Sequence, residues 1–138
     1  MNFSVKSDYA ARAVLGLSRH YPTGRAIRVE DLATEQAIPA NYLVQILIEL
    51  KTSGIVRSVR GKEGGYILGR EPAKITMGDV LRTMHGSIFD APALSNPECP
   101  EELAGAWKKL QTSIETAANA ITFQQLVDEA AQKKMYYI

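Results

Sequence analysis

The 138 residues, 46% hydrophobic and 22% charged, have the composition of an ordinary globular chain, sufficient for one compact domain with an accessory segment and too short for two full domains. No stretch approaches the roughly 20 apolar residues that span a bilayer, the N-terminus lacks the pattern of a signal peptide, and one cysteine excludes an intrachain disulfide framework, so a cytoplasmic protein with no membrane partner is expected. The net charge of +1 hides an asymmetry: residues 1–70 hold ten Lys/Arg against six Asp/Glu, and residues 71–138 hold six against nine. Between Lys51 and Arg70 five basic residues face the single acid Glu63. Such a segment is either a footprint for phosphate binding or a solvated Arg-rich loop, and spacing has to separate the two.

In chain order, Tyr9, Ala13, Val14 and Leu17 fall at helical spacing, which predicts a helix from about Ser7, as N-cap, to Tyr21, broken by Pro22-Thr23-Gly24. Ile27 to Val29 reads as a short strand before a second helix over Glu30–Gln36, with Leu32 and Ala33 facing a core. Pro39 suits a tight turn, and a third helix starts at Ala40 or Asn41 with Leu43, Ile46, Leu47 and Leu50 as its buried stripe. Gly54 is placed to end it with a positive φ. Ile55 and Val56 then open a β-rich segment, Gly61 to Gly65 make a turn and Tyr66-Ile67-Leu68 return, which is a hairpin with a basic tip.

Short helix, tight turn, amphipathic helix and hairpin in that order make a winged helix-turn-helix, so the fold class is mainly α with a small β-hairpin wing. The third helix offers Asn41, Tyr42, Gln45 and Lys51 opposite its apolar stripe. A helix of this size fits the major groove, where Asn and Gln pair with adenine in bidentate fashion and Tyr reaches phosphate or a thymine methyl. Arg57, Ser58, Arg60 and Lys62 would meet the DNA backbone or the minor groove, with Tyr66 beside them. Tyr42 and Tyr66 also fit the description of half-buried aromatics, and Gln45 that of an ordinary exposed helix residue.

The segment IVRSVRGKEGGYILGR at 55–70 resembles the wing signature of the Rrf2 family of regulators, which reads RG, two variable residues, then GGY. SDYAARAV at 7–14, IPANYLVQIL at 38–47, ITMGDVLRTMHG at 75–86 and ITFQQLV at 121–127 extend the resemblance over nearly the whole chain. The resemblance implies a homodimeric transcription regulator, usually a repressor, on an imperfect palindrome of double-stranded DNA. It also implies a sensor loop, which in several members holds an iron–sulfur cluster on three cysteines and a fourth ligand. Here that stretch, SIFDAPALSNPECPEELAGA at 87–106, has one cysteine, Cys99. Asp8 matches a ligand position of some members and His85 borders the loop, but with Cys99 they make a thin, oxygen-rich set for a cluster normally held by four ligands, mainly thiolates. No cofactor is therefore expected. Asp8 reads more simply as first-turn charge, His85 as a helix-end residue, and Cys99 as either an inert residue or a thiol open to oxidation.

From Pro100 to Thr122 the residues Leu103, Trp107, Leu110, Ile114, Ala117 and Ile121 recur at alternating steps of four and three, an a/d-like seam for a second copy of the chain. The alternative is a helix laid back over its own domain. The expected organisation is a winged helix-turn-helix over 1–86, a loop over 87–99, and a dimerisation helix with a C-terminal segment over 100–138. A cluster-free repressor answering to a small metabolite, a partner protein or thiol oxidation is the leading reading. A metal or cluster sensor with non-cysteine ligands, and a winged-helix protein-interaction module without DNA binding, are the alternatives. No enzyme is expected: the sequence has no nucleophile–base arrangement, and GKEGG lacks the ending of a P-loop.

Overall fold

A computed structural model describes residues 3–136. Six helices and one hairpin follow in the order α1 (Val5–His20), α2 (Val29–Gln36), α3 (Ala40–Thr52), β1 (Val56–Val59), β2 (Gly65–Leu68), α4 (Met77–His85), α5 (Glu101–Ala120) and α6 (Phe123–Tyr136). Among the described residues no helix is long and apolar enough to cross a membrane.

The first helix starts a turn earlier than its apolar spacing suggests. Ser4, not Ser7, is the N-cap, its Oγ accepting from the Ser7 N–H at 3.2 Å. Two serines three apart offer the chain two caps, and the earlier one lets Ser7 be buried between α1 and α4 while Lys6 reaches Glu49 of α3 at 2.7 Å. Asp8 does sit in the first turn. After a 3₁₀ turn over Tyr21–Thr23, the strand expected at Ile27–Val29 reduces to one bridging residue. The Ile27 N–H donates to the Tyr66 carbonyl at 2.9 Å and the Tyr66 N–H to that of Ile27 at 2.8 Å, while Val29 already belongs to α2.

The helix-turn-helix forms as its residues require. Leu32 and Ala33 of α2 and Leu43, Ile46, Leu47 and Leu50 of α3 are buried together with Ala10, Ala13, Val14 and Leu17 of α1. The turn bends through Ala37, whose φ of 54° lies in the left-handed region, before Pro39 opens α3. Gly54, with φ 83°, ends α3 as expected. The hairpin pairs Val56 with Leu68, Arg57 with Ile67, Ser58 with Tyr66 and Val59 with Gly65, and Val56 and Leu68 turn inward to the core.

The C-terminal third is less separate than the sequence suggests. Thr76 and Asp79 form a reciprocal capping box at the start of α4, which packs on α1, α3 and α5. Helix α6 returns to α1 and to the 3₁₀ turn at Pro72–Lys74, placing Phe123 fully buried in the same core as α1 to α3. Helix α5, by contrast, has no buried residue.

Candidate nucleic-acid interface

With its inner stripe committed to the core, α3 exposes Asn41, Tyr42 and Gln45 near its N-terminus and Lys51 at its end. Tyr42 is 43% exposed and stands edge-on to Tyr9 of α1, ring centroids 5.5 Å apart, so its ring is positioned by packing while much of the side chain stays in solvent. The Lys6–Glu49 pair is a second clamp between α1 and α3. Val44 and Ile48, absent from the expected set, are also exposed on α3. The buried stripe could have revealed them, because two apolar residues fall outside it.

The wing adjoins this helix in sequence through Gly54, and α3 packs on β1. Arg57, Ser58, Arg60 and Lys62 are exposed. Among the described residues none of Arg57, Arg60 and Lys62 is in an ion pair, so their charge faces solvent uncompensated. Tyr66 is half-buried and packs against the core. Gly64 and Gly65 are dictated by close approach: a Cβ on Gly64 would collide with the Val59 carbonyl and one on Gly65 with the Ile27 carbonyl.

Two arginines outside the expected set shape the wing. Arg28 donates from Nη2 to the Lys62 carbonyl at 3.0 Å, tying the tip to the start of α2. Nothing in the sequence signals this, since the partners lie 34 residues apart. Arg70, counted in the basic segment, is drawn into the base of the wing instead, with Nη2 3.2 Å from Asp79 Oδ2 and Nε donating to the Lys74 carbonyl at 3.0 Å. Arg82 pairs with the other Asp79 oxygen at 3.1 Å. Partial burial works to raise the Asp79 pKa, but the Thr76 N–H and the guanidinium groups of Arg82 and Arg70 outweigh it and hold the carboxyl below its ordinary value.

The ligand candidates are not brought together. Asp8 pairs with Arg12 at 2.8 Å, His85 Nε2 is hydrogen-bonded to Ser7 Oγ, and Cys99 is half-buried with Sγ 3.6 Å from the Pro100 carbonyl. Among the described residues no three His, Cys, Asp or Glu side chains cluster as a metal site. On α5 the expected seam divides. Leu103 and Leu110 are 47% and 50% exposed, Ala117 is exposed too and Ile121, just past the helix, is 42% exposed, whereas Trp107 and Ile114 are half-covered by the rest of the chain, Trp107 lying 6.3 Å from Phe89 between centroids. The outward row therefore runs through every seventh residue, from Leu103 to Leu110 to Ala117.

The family model described as "Rrf2: Iron-dependent Transcriptional regulator" matches residues 3–129. The HTH-type transcriptional regulator IscR of Yersinia enterocolitica is 31% identical over 132 residues, covering 93% of this chain and 80% of that protein. The HTH-type transcriptional regulator CymR of Bacillus subtilis is 29% identical over 142 residues, covering all of both chains. Among solved structures, T. potens IscR superposes with a TM-score of 0.78 at 31% identity, over 94% of this chain and 88% of that one. CymR, titled the global cysteine regulator of B. subtilis, gives a TM-score of 0.83 at 24% identity over 94% and 98%, which speaks for the fold. With a winged helix-turn-helix and a family match over almost its whole length, the chain belongs to the Rrf2 family of transcriptional regulators.

Proposed function

We propose that the protein is a homodimeric, sequence-specific repressor that docks α3 in the major groove of each half of a palindromic operator. The observation that carries this reading is the pairing of an exposed Asn41/Gln45 face on α3 with a wing whose Arg57, Arg60 and Lys62 carry unpaired charge. In this arrangement Asn41 and Gln45 address base edges, Tyr42 braces the helix against a phosphate or a thymine methyl, and Ser58, Arg60 and Lys62 hold the backbone or the neighbouring minor groove. Tyr66 serves from beneath, packing the return strand on the core. Where such an operator overlaps the promoter, its occupation excludes the transcription machinery, which is the repression proposed.

The outward row on α5 supports the dimer. Leucines half exposed at heptad spacing on a helix of 20 residues are covered by the same row of a second copy, with Trp107 and Ile114 at its edge. Two-fold pairing then sets the recognition helices roughly 34 Å apart, one turn of DNA. The division in this reading is a DNA-binding unit over 1–86, a sensor-position loop over 87–99, and a dimerisation and C-terminal part over 100–138 whose last helix, α6, packs back into the core of the first unit through Phe123.

An iron–sulfur cluster does not fit the residues of this chain. Its donors would be one thiol and two groups already engaged, Asp8 by Arg12 and His85 by Ser7, where such clusters take mainly thiolates. The signal in this reading is a small molecule or a partner protein, received by a regulator working in the cytoplasm. The test is mobility-shift titration with DNA from upstream of the protein's own gene, alongside light scattering. Specific, salt-sensitive binding by a dimer that disappears in Arg60→Ala is expected; a folded dimer without specific binding would favour a protein-interaction module instead.

A further inference from the structure

The outward face of α3 is not uniformly polar. With Leu43, Ile46, Leu47 and Leu50 buried, Val44 and Ile48 lie on the opposite side, 37% and 47% exposed, next to Asn41 and Gln45. They are one turn apart, so their methyl groups form a continuous ridge rather than two scattered apolar spots. Helix α3 packs on α1, α2, α4 and β1, and none of these covers the ridge. Solvation alone would favour Lys, Glu or Gln here, which have better helix propensity than β-branched residues and end in a group that water solvates.

The charge around the ridge selects its occupant. Lys51 follows on the same helix, Arg57, Arg60 and Lys62 stand on the adjoining wing, and the one acid of α3, Glu49, is drawn aside by Lys6 at 2.7 Å. An apolar ridge with amide neighbours on a cationic surface is complementary to the DNA major groove, where the thymine 5-methyl is the apolar group on display. We propose that Val44 and Ile48 are specificity-determining residues that read thymine 5-methyl groups, an inference that rests on α3 entering the major groove. Asn41 and Gln45 favour adenine, whose partner is thymine, so amide and methyl contacts on this face select the same A·T pairs or their neighbours. Half-sites should accordingly carry A·T pairs beneath residues 41 to 48.

The full chain would be used to select sites from a random duplex library. Each thymine of the selected site would then be replaced by deoxyuridine, which deletes the methyl and leaves the pairing edge intact, and affinity read by fluorescence anisotropy. We expect about a fourfold loss per contacted methyl, the size associated with burying one methylene-sized group. Val44→Ala and Ile48→Ala should bind the thymine duplex about as weakly as the unaltered protein binds the matching uracil duplex, with no further loss on replacement. Both changes are to a better helix former at exposed sites, and thermal melting would verify that the variants fold. Two results would overturn the inference while leaving DNA binding intact: uracil duplexes bound as tightly as thymine ones, or a methyl penalty that persists in the alanine variants. Failure of the unaltered protein to select any site would remove the DNA-binding reading and this inference with it.

Discussion

Truncating Phe123 tests whether the last helix is a structural part of the DNA-binding unit. Its ring is fully buried at the first residue of α6, in one cluster with Leu17, Leu43 and Leu47, while its N–H donates to the Ile75 carbonyl at 3.0 Å. Phe123→Ala removes the ring and leaves that backbone bond, so the loss is transfer free energy plus the cavity left behind, about 3–5 kcal/mol. With a urea dependence of about 2 kcal/mol per molar for a chain of this size, the unfolding midpoint should fall by roughly 2 M. Phe123→Leu, which keeps much of the volume, should cost no more than about 1.5 kcal/mol. Circular dichroism against urea, run at one low and one high protein concentration, gives all three curves. Concentration matters because a dimer's apparent stability depends on it, and Leu110→Ala supplies the contrast: half exposed in the protomer, it should show a concentration-dependent loss where Phe123→Ala shows an additional constant one. A Phe123→Ala curve within about 1 kcal/mol of the parent, the range of a surface change, would refute a core that includes α6.

Three other outcomes follow from single contacts. Leu110→Glu places charge in the outward row of α5 and should yield monomers by light scattering, with folding retained, since α5 has no buried residue in the protomer. Arg28→Ala frees the Lys62 carbonyl and with it the wing tip, so DNA affinity should fall several-fold by anisotropy, while thermal stability moves by less than about 1 kcal/mol, the worth of one exposed hydrogen bond. Asp79→Asn should cost about 1–2 kcal/mol at neutral pH through a weakened capping box and two partly exposed ion pairs. Because the Asp79 pKa is depressed in the folded state, its stabilisation is complete above the unfolded carboxyl value of about 3.9 and is lost as pH falls through the lower folded value. The gap between parent and variant should therefore close below that pH, and a gap constant to pH 2 would contradict the assignment.

What the sequence made legible was whatever a regular period or a steric requirement writes locally. The α3 stripe, the Gly54 stop and the Gly61–Gly65 turn all arise from residues within a few positions of one another, and each stands where expected. Contacts that depend on chain return were not legible. Ser4 prevails over Ser7 as cap because Ser7 is buried against α4, 78 residues away at His85. The strand expected at Ile27–Val29 shortens to a bridge because only Ile27 lies against β2. Arg70 counts as basic charge in the sequence, but Asp79 of α4 holds it in an ion pair. On α5 the alternating four-three spacing identified the apolar residues, but which of them face outward depends on where α4 and Phe89 lie, and period alone does not contain that.

In the proposed dimer the spacing of the two half-sites depends on how rigidly α5 is joined to the DNA-binding unit, and the joint is small enough to test. The Met77 N–H donates to the Ile121 carbonyl at 2.9 Å and the Phe123 N–H to that of Ile75 at 3.0 Å, two rungs that pin the end of α5 to the start of α4. Helix α4 in turn packs on α1 and α3, so in the proposed dimer the position of α5 relative to α3 is set through these rungs. Met77 is the first residue of α4, where proline is tolerated, and Thr76 before it already has the extended backbone, ψ 163°, that a following proline demands. Met77→Pro thus deletes one rung without breaking the helix, and Met77→Ala controls for the lost side chain. The proline variant should lose about 1 kcal/mol more than the alanine variant, the net value of one hydrogen bond. It should also accept operators lengthened or shortened by one base pair with less discrimination, as anisotropy on a spacer series would read. Equal discrimination by the two variants would mean that the half-site distance is fixed elsewhere, in the seam of α5 itself.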